Sequence, residues 1–523
     1  MNTHILSSNL DNATPADAGD VRPHAVVIGA GFGGLAAAIR LGARGYRVTV
    51  AERLEQAGGR ASVFKQDGYT FDAGPTIITA PFVLEELWTI CGKQMADHVP
   101  LTAMDPFYTI RFDDGSEFHC NGDADFMRAE IARFEPKDVP GYEKFFKESK
   151  ANYGVGFDLM DKPFHRLMDM AAYLPQMAGL RADRSVYGHV AKHISNPNLR
   201  IALSFHPLFV GGNPLRVTSI YSLIAYLERE YGVHYVWGGT GALVQGMVDL
   251  IEEQGCTVRT HAPVDQLMLD GERAVGVVLE SGEEIPADVV VSNADSAWMY
   301  DHLLKDRKPK RWTRKKLKKL NYSMSLFVWY FGTDKKFEDV QHHTILMGPR
   351  YHELLTDIFD RKILADDFSL YLHRPTATDP SLAPEGCDAF YVLSPVPHLE
   401  GDVDWTTMEE TYRKRIEKRL EETIMPGLGD HIATSKTMTP LDFRDRLNAP
   451  LGAAFGPEPT FTQSGWFRPH NVSEEIENLF LVGATTHPGA GLPGVVTSAK
   501  VLDRVIPHAD DVVRARTGAN ASV

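Results

Sequence analysis

The sequence is short of cysteine, of long apolar runs and of positive charge, and each shortage removes a class of protein. Four cysteines among 523 residues, Cys91, Cys120, Cys256 and Cys387, are widely spaced with no CxxC pair. They provide neither a disulfide framework nor a thiolate zinc site, and their spacing suits a reducing cytoplasm. No apolar run approaches the roughly twenty residues that cross a bilayer. The longest, Leu326-Phe327-Val328-Trp329-Tyr330-Phe331, has the length and composition of a buried strand. A formal charge of −15 leaves no global positive field to gather phosphates, which argues against nucleic acid as a partner. Neither a Gly-x-Ser-x-Gly elbow nor a cysteine–histidine nucleophile pattern is present. His342 and His343 are adjacent, and neighbours on a strand point to opposite faces; with no third ligand evident by spacing, no metal site is expected. Residues 1–22 lack the basic start and apolar centre of a signal peptide and read as a disordered leader.

What is present begins at His24. An apolar run, Ala25-Val26-Val27-Ile28, enters the turn Gly29-Ala30-Gly31-Phe32-Gly33-Gly34, followed by an alanine-rich segment and a second run, Val48-Thr49-Val50-Ala51, ending at Glu52. Strand, glycine turn, helix, strand and acid in this order form a dinucleotide-binding βαβ unit. Gly29 allows the tight turn, Gly31 lets backbone approach a pyrophosphate, and Gly34 lets the helix pack close to the sheet. The helix N-terminus offers N–H groups to phosphate, and Glu52 stands where a carboxylate accepts from a ribose diol. A second glycine pair with an arginine, Gly58-Gly59-Arg60, and then Phe71-Asp72-Ala73-Gly74-Pro75 follow closely. A mobile nicotinamide cofactor does not require them, whereas a large, permanently held one does, so FAD is preferred over NAD.

These motifs resemble the amino-terminal half of the bacterial-type phytoene desaturases, in the flavin amine-oxidase-like superfamily. The run from Asn478-Leu479-Phe480-Leu481-Val482-Gly483-Ala484-Thr485 to Gly491-Leu492-Pro493-Gly494-Val495 is similar to that family's closing flavin motif. Gly238-Gly239-Thr240-Gly241, Val291-Ser292-Asn293-Ala294-Asp295 and Trp466-Phe467-Arg468-Pro469-His470-Asn471 also fit. Many related flavoproteins carry an acid where Ala484 stands, a departure from the wider superfamily only. Carried over by the resemblance, the FAD-contacting positions are Gly29, Gly31, Phe32, Gly33, Gly34, Glu52, Arg53, Gly59 and Arg60. Further along they are Gly74, Pro75, Thr76, Val264, Gly483, Pro493, Gly494 and Val495.

The expected fold is α/β: a Rossmann-like FAD domain assembled from residues 23–95, 232–296 and 472–508. A mixed-sheet and helical substrate domain, residues 96–231 and 297–471, is inserted between them, and residues 509–523 form a tail. Methionines and aromatics at helical spacing over residues 164–180 read as core, with a lipid- or substrate-facing surface as the alternative; Pro175 ends or kinks a helix there. Asp169 is the one acid in that apolar stretch; it reads as an exposed-face carboxylate, with a proton acceptor near the substrate as the alternative and the only catalytic candidate. Ten basic residues over 305–319 read either as a solvated basic helix or as contact with anionic lipid, with Trp312, Leu317 and Leu320 inserting. The resemblance implies stepwise FAD-dependent desaturation of 15-cis-phytoene to neurosporene and/or lycopene. Phytoene and its partly desaturated intermediates are then the substrates, oxygen or a quinone the electron acceptor, and the inner face of the cell membrane a peripheral docking surface. A carotenoid isomerase, a desaturase of a later carotenoid, or a non-catalytic isoprenoid carrier are the alternatives.

Overall fold

The computed structural model describes residues 20–517, apart from residue 306. Most of the expected leader lies outside the described residues. At its end Arg22 pairs with Asp20 at 2.7 Å and donates to the Gln254 carbonyl at 3.1 Å.

Three separated stretches of chain build one five-stranded parallel sheet, ordered Leu479–Leu481, Val289–Ser292, His24–Ile28, Arg47–Ala51, Thr257–Arg259. The strand His24–Ile28 is buried at every position, and apolar from Ala25 onward, because both of its faces are covered. Ala25 and Val27 join a core with the helices Phe32–Ala43, Gly239–Glu253 and Leu492–Lys500. Val26 and Ile28 face the antiparallel sheet of Val264–Asp270, Arg273–Leu279 and Glu284–Pro286.

A second, seven-stranded sheet carries the rest, in the order Ile432–Met438, Ser325–Thr333, Asp388–Val396, Leu370–His373, His343–Leu346, Tyr108–Arg111, Glu117–Cys120. It is mixed: all its pairs are antiparallel except His343–Leu346 against Tyr108–Arg111. The strand Ser325–Thr333 is buried throughout. Phe327, Trp329 and Phe331 pack under the helix Trp405–Thr423, while Leu326, Val328 and Tyr330 face the opposite core. Each such side chain contributes roughly 1.5–3 kcal/mol on burial, which explains an apolar run without alternation.

Expectations are corrected at the basic run and at Pro175. The basic run contains only a four-residue helix, Arg314–Leu317. Trp312 is 0% exposed in the core, its indole N–H donates to Glu474 at 2.6 Å, and Leu317 is buried, so neither inserts into lipid. Lys305, Lys310, Arg311 and Arg314 instead pair with Asp265, Glu272, Glu474 and Asp301. Pro175 starts a helix, Leu174–Gly179, in keeping with proline's fit to the first turn. The closing helix begins at Leu492, with Pro493 in its first turn for the same reason. The tail is helical over Ala509–Thr517 and returns to the flavin sheet, where Arg516 pairs with Asp288.

The three segments meet where no side chain fits. A Cβ on Gly33 would lie 2.6 Å from Asn293 Oδ1 and 2.9 Å from the Gly483 backbone. Gly33→Ala therefore forces apart all three parts of the flavin domain. Denaturant unfolding of the variant is expected to show a loss of about 1–3 kcal/mol and weaker FAD retention; stability within experimental error of the parent would refute the packing argument.

Candidate active site

The glycine turn, the Gly58–Arg60 turn and the N-terminus of Leu492–Lys500 converge on one large cavity of about 690 Å³. At its polar end Gly29 leaves the first strand at φ +91°, its N–H bonded to the Ala51 carbonyl at 2.8 Å. Glu52 is buried at the end of the second strand; it accepts from the Ala30 and Leu54 N–H groups at 2.7 and 2.9 Å, fixing the turn around its carboxylate. The helices Phe32–Ala43 and Leu492–Lys500 both start with a glycine at the N-cap, no side-chain cap and no acid in the first turn. Two uncapped positive helix ends thus face the same space. Arg60 lines it as well, with Nε and Nη2 buried and without a partner. A buried guanidinium with unused donors and two open helix ends fit a cofactor with a pyrophosphate and an electron-rich ring.

The sequence-predicted residues divide into two groups. Gly29, Gly31, Phe32, Glu52, Arg53, Gly59, Arg60, Gly74, Pro75, Thr76, Val264, Pro493, Gly494 and Val495 line the cavity. Gly33, Gly34 and Gly483 do not; they are the close-packing glycines behind it, Gly34 against the Gly29 carbonyl and Gly483 against Asn293. Arg53 is held by the 445–448 turn, donating to Asn448 Oδ1 at 2.7 Å. The Thr76 hydroxyl is shared between Tyr391 at 2.6 Å and Tyr371 at 3.0 Å, so its side chain serves the second sheet. Asn293, quoted as part of a motif but assigned no role, links the segments by donating to the Gly29 carbonyl at 3.4 Å.

Asp169, the candidate proton acceptor, caps a short helix: its Oδ2 accepts from the His165 and Arg166 N–H groups at 3.1 and 2.8 Å, and it is not among the residues that line the cavity. Besides Glu52, the buried acids that do line it are Asp72 and Asp295. Asp72 Oδ1 accepts from the Thr240 N–H at 2.8 Å at the start of Gly239–Glu253, while Oδ2 has no partner. Burial lifts its carboxyl to about 7, against that backbone hydrogen bond. Its signal in the sequence was a lone acid inside an apolar motif. His487 also faces the cavity; burial pushes its imidazole down to about 4, so it is neutral near pH 7.

Beyond the polar end the wall becomes hydrocarbon. Leu326, Val328 and Tyr330 of the long strand face Phe164, Met170 and Met177 of the helical segment across it. That segment is split: Met170 is buried on the cavity, while Leu167, Met168 and Leu174 are exposed, Met168 by 73%. Histidine geometry differs from expectation too. His342 precedes the strand His343–Leu346, so strand alternation does not separate it from His343, and His373 joins both in a buried cluster.

The sequence profile of the flavin containing amine oxidoreductases matches residues 32–501. A phytoene desaturase (neurosporene-forming) of Rhodobacter capsulatus is 50% identical over 93% of this chain and 94% of its own length. A phytoene desaturase (lycopene-forming) of Pantoea ananas is 48% identical over 91% of this chain and 97% of its own. Among solved structures, an oxidoreductase from Methanosarcina mazei superposes with a TM-score of 0.61 at 18% identity, covering 92% of this chain and all of that one. A putrescine oxidase gives 0.58 at 11% identity, covering 95% and 99%. These two share the fold.

Because the folded protein holds Asp72 with its affinity for a proton raised above the unfolded value, ionising it opposes folding. The penalty is absent below about pH 4, grows as pH rises, and is complete above about 7. Asp72→Asn keeps the acceptor for Thr240 and removes the charge. The melting temperature of the variant is expected to match the parent at pH 4.5 and exceed it at pH 8; a parallel offset at both would show that Asp72 does not titrate there.

Proposed function

The chain belongs to the flavin-containing amine oxidoreductase family, and we propose that within it the protein is an FAD-dependent phytoene desaturase, an oxidoreductase acting on CH–CH groups. The observation that carries the reading is one cavity joining a dinucleotide cradle to a hydrocarbon wall. FAD supplies the acceptor for the hydrogen that leaves carbon with its electron pair; the chain supplies the rest. A polyene precursor has no polar handle, so position must come from shape, and holding the reacting carbons in place accounts for much of the rate. Side chains such as Leu326, Val328, Phe164 and Met170 do this by contact alone. The second hydrogen leaves as a proton, and no side chain is assigned to take it. Products are neurosporene and/or lycopene, reached by successive dehydrogenations. The unsatisfied Arg60 speaks against a non-catalytic carrier, which has no use for a buried cation aimed at a cofactor.

Membrane contact belongs to the same reading, with the surface moved. No helix of the described residues is long and apolar enough to cross a membrane. Leu167, Met168 and Leu174 stand exposed on the segment whose Met170, Tyr173 and Met177 line the cavity, with exposed His165 and Arg166 beside them. A lipid-dissolved substrate enters where an exposed apolar patch adjoins the cavity wall. The protein then acts at the cytoplasmic membrane surface, passing electrons to oxygen or a quinone.

FAD-loaded protein mixed anaerobically with phytoene liposomes is expected to bleach its flavin absorbance while new long-wavelength polyene bands appear, their positions counting the steps. Unchanged flavin with altered cis/trans composition would replace the reading with isomerisation, and bound but unaltered phytoene with a carrier. Replacing Leu167, Met168 and Leu174 by serine is expected to weaken flotation with liposomes about tenfold or more, since each exposed side chain contributes on the order of 1 kcal/mol when inserted. Undiminished flotation would remove this segment from the docking surface.

A further inference from the structure

Behind the cavity wall, three imidazoles from two neighbouring strands converge in the core. His342, His343 and His373 are all buried, and each offers a ring nitrogen within 4.8 Å of the others. His342 Nε2 and His373 Nε2 lie 3.1 Å apart. In a tetrahedral site with metal–nitrogen bonds of about 2.0–2.1 Å, neighbouring nitrogens stand roughly 3.3–3.4 Å apart; that pair, which shares a hydrogen bond, needs only a small separation to reach it. His343 Nε2 and His373 Nδ1 are buried without a hydrogen-bond partner. The outer nitrogens of the other two rings are held: His342 Nδ1 by the Thr378 hydroxyl and His343 Nδ1 by the Tyr371 hydroxyl, both at 2.7 Å. Such outer partners fix the tautomer and aim the opposite nitrogen at an ion.

We propose that His342, His343 and His373 form a binding site for a divalent first-row transition ion of the zinc type. Three neutral imidazoles without carboxylate or thiolate select a borderline ion over magnesium or calcium. A neutral imidazole keeps one ring nitrogen for a metal, and the outer hydrogen bonds to Thr378 and Tyr371 leave Nε2 of His342 and of His343 as that nitrogen. The nearest fixed cation, Arg374, is itself neutralised by Asp388 at 3.0 Å. The ion would join the start of His343–Leu346 to the end of Leu370–His373, and Tyr371 links that junction to Thr76 in the cavity wall. Its role is to brace the strand ends behind the wall; the proposal is independent of which carotenoid is processed.

The test uses chelator-treated, FAD-loaded full chain titrated with Co²⁺. One ion per chain is expected, with the intense visible bands of tetrahedral Co²⁺ held by three imidazole nitrogens and a water, displaced by Zn²⁺ and accompanied by a higher melting temperature. The second group with metal-like spacing, Glu148 with His189 and His193, serves as control: Glu148→Gln should leave the bands unchanged. The His342→Gln/His373→Gln variant should lose them. Thr378→Val, which removes only an outer hydrogen bond, should weaken binding about tenfold and serves where the double variant does not fold. Substoichiometric Co²⁺ without bands in the parent protein, or bands that persist unshifted at full affinity in Thr378→Val and the double variant, would overturn the assignment.

Discussion

The structure depends on one close approach. At the Gly29–Gly34 turn, Gly33 packs against Asn293 and Gly483, residues brought from the middle and the end of the chain. A flavin domain built from three distant segments has a high loop-closure cost, because long stretches of chain must be enclosed before the contacts form. The hub offsets it with contacts unavailable to any side chain larger than hydrogen. Ser498 closes the same point, accepting from the Gly483 N–H at 2.8 Å and donating to the Val495 carbonyl at 2.6 Å. Cofactor cradle and domain assembly are therefore one feature, and a substitution at the hub affects both.

The second sheet solves a different problem. It must present a wall of hydrocarbon on one face and remain folded through the other. The strand Ser325–Thr333 does so by alternation, one set of side chains towards the cavity and the other under Trp405–Thr423. Because the outer set carries stability, the cavity set is free to shape the space available to substrate.

The sequence made the cofactor end readable because its physics is local. Glycines at required turns, a carboxylate after the second strand and an uncapped helix start all lie within thirty residues of Gly29. Where local chemistry gave way to tertiary partners, reading failed. The basic run read equally as a solvated helix and as a lipid-binding surface, yet four of its residues pair with acids outside the run: Asp265, Glu272, Glu474 and Asp301. Asp169 looked isolated because the partners of a capping carboxylate are backbone N–H groups, which sequence does not display. The histidine cluster was missed because His342 sits one residue before its strand begins, where alternation has no force.

What remains is why the cavity around a substrate without charge contains titratable groups at all. Their environments answer it. His487 is held neutral by burial, and burial raises Asp72 so that it is partly protonated near pH 7. Tyr371 and Tyr391, which also line the cavity, share their hydroxyls with Thr76. Charge is concentrated at the cofactor end, where Arg60 and Asp295 face each other across buried space. A hydrocarbon sliding past ionised side chains would leave each of them desolvated, at a cost of several kcal/mol. Neutral or shared polar groups avoid that cost, so a long apolar chain can advance through the site and present successive carbon–carbon bonds to the same flavin. Repeated desaturation at one site follows from a wall that binds no part of its substrate electrostatically.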